Sequence, residues 1–217
     1  MQKLPDVTAL DLAALLCSRV CHDIISPVGA IANGLELMEE GADAETREMA
    51  LALIRTSSAN ASAKLMFARI AFGAAGSAGA AIDTGEAEAV ARGYFANEKK
   101  ITLEWHGMRA LMPKNQVKLL LNLLLVAMGA IPRGGNVKVE IEDPNGKPKL
   151  VITATGSSAR VPAAFLALLN GRFDEQLDAH AVQPLYALKL AEAAKFEIAA
   201  MVSGESVVFS AGPVPQA

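Results

Sequence analysis

The chain has 217 residues and a mass of 22.6 kDa, enough for one large or two small domains with adequate apolar cores. With 52% hydrophobic and 20% charged residues, a formal charge of -3 and a pI near 5.7, it is neither a disordered chain nor one with a basic footprint for nucleic acid. The opening M-Q-K-L-P-D-V-T is unlike a secretory signal, and the longest apolar run, 119–131, contains Asn122 and is too short to span a bilayer. A cytoplasmic protein that meets other proteins or small molecules, with no membrane or nucleic acid, is therefore expected.

Apolar residues recur at helical spacing over residues 7–40 and again over 45–72. Between them G-A-D-A supplies a stop at Gly41 and an N-cap at Asp43, so the two helices form an antiparallel hairpin, residues 1–72. Residues 73–81, G-A-A-G-S-A-G-A-A, read as a flexible hinge. Residues 82–217 then form a second domain. Helical stretches at 84–97 and 113–130 alternate there with strand-like runs at 101–105, 137–142 and 150–154, the last two joined by a turn at 144–146. Further helices at 163–169 and 184–195 precede a closing hairpin turning at Gly204 and Glu205. That order predicts an α+β protein of two domains, the second an open sheet covered on one face by helices.

The first helix carries C-H-D-I-I-S-P at 21–27. At about 100° per residue, the His22 face holds Asp11, Leu15, Ser18, Ser26, Gly29, Asn33, Glu36 and Glu40, a stripe of mostly small and polar residues. Opposite lie Ala13, Cys17, Val20, Ile24, Pro27, Ile31, Leu35 and Met38, the seam of a helix bundle. His22 is thus offered to a partner or is an incidental surface residue. Pro27 removes a donor and crowds the Asp23 carbonyl, at about 3 kcal/mol, which marks either a packing bend or a site. Asp23 either holds one ring nitrogen of His22, leaving the other as a nucleophile, or is a solvated charge. Cys17 and Cys21, four apart, miss the haem-attachment spacing and read as buried free thiols. A two-helix layer rarely buries enough surface alone, so a homodimer is expected.

H-D-I-I-S-P resembles the phosphoacceptor box of sensor histidine kinases, H-[DE]-x-x-x-P. The run 119–139, L-L-L-N-L-L-L-V-A-M-G-A-I-P-R-G-G-N-V-K-V, resembles the helix and strand around the kinase ATP-binding N box. The departures are informative. Asn122 matches the first asparagine, but the second, a magnesium ligand in kinases, is Val126, which has no oxygen to coordinate a hard cation. In I-T-A-T-G-S-S, 152–158, Gly156 matches a kinase glycine, while the adenine-reading aspartate is Ala154 and the second glycine Ser158. The glycine-rich lid is replaced by A-V-Q-P-L-Y, 181–186.

A kinase-like architecture with an intact phosphoacceptor and an emptied nucleotide pocket is similar to the ChpT-type family of bacterial histidine phosphotransferases, over nearly the whole chain. The resemblance implies a dimeric four-helix bundle joined to a degenerate histidine-kinase (GHKL) ATPase domain of α/β sandwich form. It implies phosphotransfer from the receiver aspartate of a hybrid histidine kinase to that of a response regulator. His22 would be phosphorylated and Asp23 would orient it. Arg19, Ser26, Gly29 and Asn33, placed by helical geometry, would line the receiver-docking surface. No cofactor or metal site is implied, the receiver bringing its own magnesium. An active histidine kinase and a non-catalytic pseudokinase scaffold are the rival readings.

Overall fold

Two long helices open the chain, α1 (Ala9–Glu39) and α2 (Ala44–Ala71). The computed structural model describes residues 4–39, 43–73, 81–172 and 181–214; Glu40, Gly41 and residues 74–80 of the expected hinge lie outside them. Asp43 caps α2 as expected, its Oδ1 accepting from the Thr46 amide at 2.8 Å and its extended backbone leading into the helix. α1 runs unbroken through Pro27, whose side chain is buried. Burial against the hairpin thus compensates for the hydrogen bond that proline removes. The helices approach closely at Gly34, where a Cβ would lie 2.7 Å from Ile54 Cγ1 and 3.3 Å from the Ala50 carbonyl oxygen. Ala50, Ser57 and Ala61, small and buried on α2, permit that approach.

The seam expected on α1 is split in two. Val20, Ile24, Pro27, Ile31 and Met38 are buried or half-buried. A second apolar stripe, Leu10, Ala14, Cys17, Cys21, Ile25, Val28, Ala32 and Leu35, recurs by threes and fours and is exposed along its whole length. Both cysteines are therefore free and exposed, not buried as their type suggests, because α2 covers only one side of α1. By length and composition alone α1 is apolar enough to cross a membrane, a property hidden from a search for unbroken runs because Arg19, His22 and Asp23 interrupt it. Its apolarity is distributed between the strip on α2 and the uncovered stripe.

The second unit holds β1 (Ala81–Asp83), α3 (Thr84–Phe95), β2 (Ile101–Gly107), β3 (Leu111–Pro113), α4 (Lys114–Ala130), β4 (Gly135–Glu142), β5 (Lys149–Thr155), α5 (Ala163–Leu169), α6 (Val182–Ala194), β6 (Phe196–Ser203) and β7 (Ser206–Pro213). Five strands form one sheet in the order β2-β4-β5-β7-β6, with β2 parallel to β4 and the other pairs antiparallel. Alternation sets its inner face: Val137, Val139 and Ile141 on β4, Leu150, Ile152 and Ala154 on β5, and Val207, Phe209 and Ala211 on β7 are all buried. The helices lie on that face, as expected. α4 is buried nearly all round from Val117 to Leu124, which explains why its sequence is apolar apart from Lys118 and Asn122 there. The small antiparallel pair of β1 and β3 has no signature in the sequence, since three-residue strands carry no readable period.

The hairpin is not a separate body hung on a linker. Phe67, Ile70 and Ala71 at the end of α2 belong to the same apolar cluster as α3, α4 and the sheet. Phe67 packs on Tyr94 of α3 with ring centroids 4.7 Å apart, and Asn122 of α4 donates Nδ2 to the Ala71 carbonyl at 3.0 Å. α1 is thereby held against the second unit.

Candidate functional site

His22 stands on the outer side of α1 with its side chain 87% exposed. Its Nδ1 lies 3.4 Å from Asp23 Oδ1. With the Nδ1 proton directed at that carboxylate, the lone pair of Nε2 is left facing solvent. Asp23 does not stand alone. Its Oδ2 accepts from Arg19 Nε at 3.0 Å, an i,i+4 pair that is largely buried at both ends. Arg19, expected on the docking surface, thus turns into the cleft between α1 and the second unit. Ser26, Gly29 and Asn33 are exposed on the His22 side of the helix, and the space where a Gly29 side chain would stand is empty within 4 Å. The histidine therefore sits on a low surface that another protein can approach closely.

The wall behind the site comes from elsewhere in the chain. Asp23 shares a narrow crevice with Val20, Ile24, Lys64 and Ala68 of the hairpin and with Tyr94 of α3. Burial, with the Asp23 carboxylate adding to it, pushes the Tyr94 phenol up to about 12, so it stays protonated throughout the neutral range. Lys64 Nζ stands 6.0 Å from the centre of the same ring. Neither residue is legible in the sequence, because no local pattern on α2 or α3 ties them to a histidine more than forty positions earlier.

A larger cavity of about 650 Å³ opens beside Arg19 and is lined also by Tyr94, Lys99, Lys100, Val126 and Gln183. Val126 is nearly buried and presents methyl groups. Ala154 lies wholly within the core and has no side-chain polar atom to read a base. Ser158 keeps the left-handed backbone, φ 69°, that a glycine would adopt there, but adds a side chain. Asn122 is committed to structure: wholly buried, it donates to the carbonyls of Ala71 and Lys118 and accepts from Gln183 Nε2. Val126 and Ala154 thus offer no side-chain oxygen to a magnesium ion or a base at these two positions. Among the described residues no group of three or more His, Cys, Asp or Glu side chains is placed to hold a metal.

Residues 84–206, more than half the chain, match the family model described as the histidine phosphotransferase C-terminal domain. The chain is also 58% identical over 206 residues to the protein phosphotransferase ChpT of Brucella abortus (strain 2308), covering 94% of this chain and 97% of that protein. This chain belongs to the histidine phosphotransferase family. The second comparison extends the likeness beyond the sheet domain to the hairpin that carries His22. A solved structure of a bacterial phosphotransferase, 55% identical, matches this family member with a TM-score of 0.88 over 96% of this chain and 100% of that one. The histidine kinase AdeS of Acinetobacter baumannii aligns at 12% identity and a TM-score of 0.48, over 88% and 96% of the respective chains.

Proposed function

We propose that the protein is the histidine phosphotransferase of a multistep two-component phosphorelay, accepting a phosphoryl group on His22 from the receiver aspartate of a hybrid kinase and passing it to a response-regulator aspartate. The observation that carries this reading is the exposed His22 ring with Nδ1 against Asp23 and Nε2 open to solvent.

In the first step the Nε2 lone pair attacks the phosphorus of the aspartyl phosphate in line. The P–O bond to the receiver carboxyl breaks, and the carboxylate leaves with the bonding pair. The ring then carries positive charge at Nδ1–H, which Asp23 Oδ1 faces and stabilises. Transfer to the regulator is the reverse of this step on a second receiver. Such transfers depend on alignment and charge neutralisation more than on covalent help, and the receiver brings magnesium and its own aspartate.

The same proposal excludes ATP as the donor, because Val126, Ala154 and the structural Asn122 remove the groups that would hold magnesium and adenine. Incubating the protein with labelled magnesium-ATP, and separately with a labelled phospho-receiver domain, tests this. Label is expected on the protein only from the receiver. Label taken from ATP alone would convert the reading into that of an active kinase.

The exposed stripe on α1, together with Met49 and Leu53 on α2, supports a homodimer in which two hairpins form a four-helix bundle. Glutamates at Val28 and Leu35 together would place two charges in that seam. Sedimentation is expected to show wild-type dimer and a Val28→Glu, Leu35→Glu monomer; an unchanged mass would place the subunit contact elsewhere. A protein that trades phosphate with receiver domains belongs in the cytoplasm.

A further inference from the structure

The Arg19–Asp23 pair has chemistry beyond joining two exposed charges on a helix. Both side chains are more than two-thirds covered, Asp23 by the hairpin and Tyr94 together and Arg19 beside the second domain. Tyr94 of α3 lines the crevice that holds Asp23 and also the larger cavity that holds Arg19. Phe67 braces the Tyr94 ring from α2 at 4.7 Å. The groups facing the carboxylate are therefore Arg19 and His22 on its own helix, Lys64 on α2 and the neutral phenol of Tyr94 on α3. Partial exclusion of water makes the pair stronger and more directional than an open surface ion pair.

Geometry gives the pair a task. A carboxylate beside a histidine in sequence is free to rotate its oxygens toward solvent, toward the ring or along the helix. Here Arg19 Nε fixes Oδ2 at 3.0 Å, which leaves Oδ1 as the oxygen that meets His22 Nδ1 at 3.4 Å. We propose that Arg19 is a positioning residue, clamping Asp23 against the sheet domain so that His22 holds its proton on Nδ1 and keeps Nε2 as the nucleophile. This deepens the reading of His22 as the phosphoacceptor and rests on it. The sheet domain then has a function in the chemistry without binding nucleotide: it supplies the wall against which the orienting pair is set. The exposed side of α1 is left clear for the receiver.

The test compares wild type with Arg19→Ala and Arg19→Lys by two readouts. Nitrogen-15 spectra of the unphosphorylated protein, with the His22 signals assigned by their loss in His22→Ala, report the tautomer without any transfer reaction. Single-turnover transfer from a phospho-receiver, at varied receiver concentration, separates the rate at saturation from the concentration for half-saturation. In Arg19→Ala the Nδ1–H tautomer is expected to lose its dominance, and the saturating rate to fall about ten-fold while half-saturation moves by less than about two-fold. Arg19→Lys, which keeps a cation on the helix, is expected to recover most of both. An unchanged tautomer, or a defect confined to half-saturation, would overturn the proposal and make Arg19 a docking residue. Failure of wild type to take label would instead defeat the phosphoacceptor reading, and the spectra would still judge the clamp.

Discussion

Replacing His22 with alanine is expected to remove phosphotransfer down to the uncatalysed background, a loss of at least roughly a thousand-fold, because no other group at the site offers a nitrogen lone pair in line with an approaching phosphorus. The fold should not notice. With 87% of its side chain exposed, His22 contributes no packing, and unfolding free energy should change by less than about 0.5 kcal/mol. Binding of an unphosphorylated receiver, measured by calorimetry, should survive as well, since Ser26, Gly29 and Asn33 remain in place beside it. Activity persisting in this variant would move the phosphoacceptor away from α1. Activity lost together with the receiver affinity would make His22 a docking contact.

The second large effect falls on stability. Asn122 ties three helices at one buried point, donating to Ala71 at the end of α2 and to Lys118 on α4, and accepting from Gln183 on α6. Asn122→Ala strands the Gln183 amide and the Ala71 carbonyl without their partner and leaves a small void. Each unpaired buried group costs about 1–3 kcal/mol, so a loss near 3 kcal/mol is expected. For a protein of this length that lowers Tm by about 9 °C at fixed concentration. Transfer from a phospho-receiver, assayed well below the new Tm, should stay within about two-fold of wild type, because the residue holds structure and touches no phosphate. A variant of normal stability that has lost transfer would show that the asparagine still serves chemistry.

These two residues also show how far the chain can be read in advance. His22, Asp23 and Pro27 announce themselves within seven residues, and the helical period alone places His22 on the polar side of α1. The alternation of Val137, Val139 and Ile141, and of Leu150 and Ile152, similarly declares one face of the sheet. What escapes are relations between distant segments. The seam on α1 reads as a single stripe; its division between α2 and an uncovered side depends on how the hairpin turns, which periodicity does not encode, and so the exposure of Cys17 and Cys21 is missed. Arg19 stands four residues before Asp23, a spacing at which the two can pair, yet Tyr94, which lines the cavities beside both, comes from a distant helix. The glycine-alanine run suggests independent units, whereas Phe67, Ile70 and Ala71 carry one core across the boundary.

Asn122 illustrates the opposite case, a motif residue whose neighbours give it a different use. By resemblance it belongs to a nucleotide site. In the fold its amide is fully engaged by backbone and Gln183, and Val126, one turn further on, turns methyl groups to the cavity. In this fold the asparagine joins α2, α4 and α6 at one buried point.

The most direct measurement takes the protein from a brief reaction with a phospho-receiver domain in the absence of ATP and locates the phosphate by peptide mapping under alkaline conditions. A single phosphoryl group on the peptide containing His22, lost on acid treatment and discharged by a fresh unphosphorylated receiver, is the predicted result. Phosphate on any other residue, or a protein that takes none from the receiver and accepts it from ATP, would contradict the account.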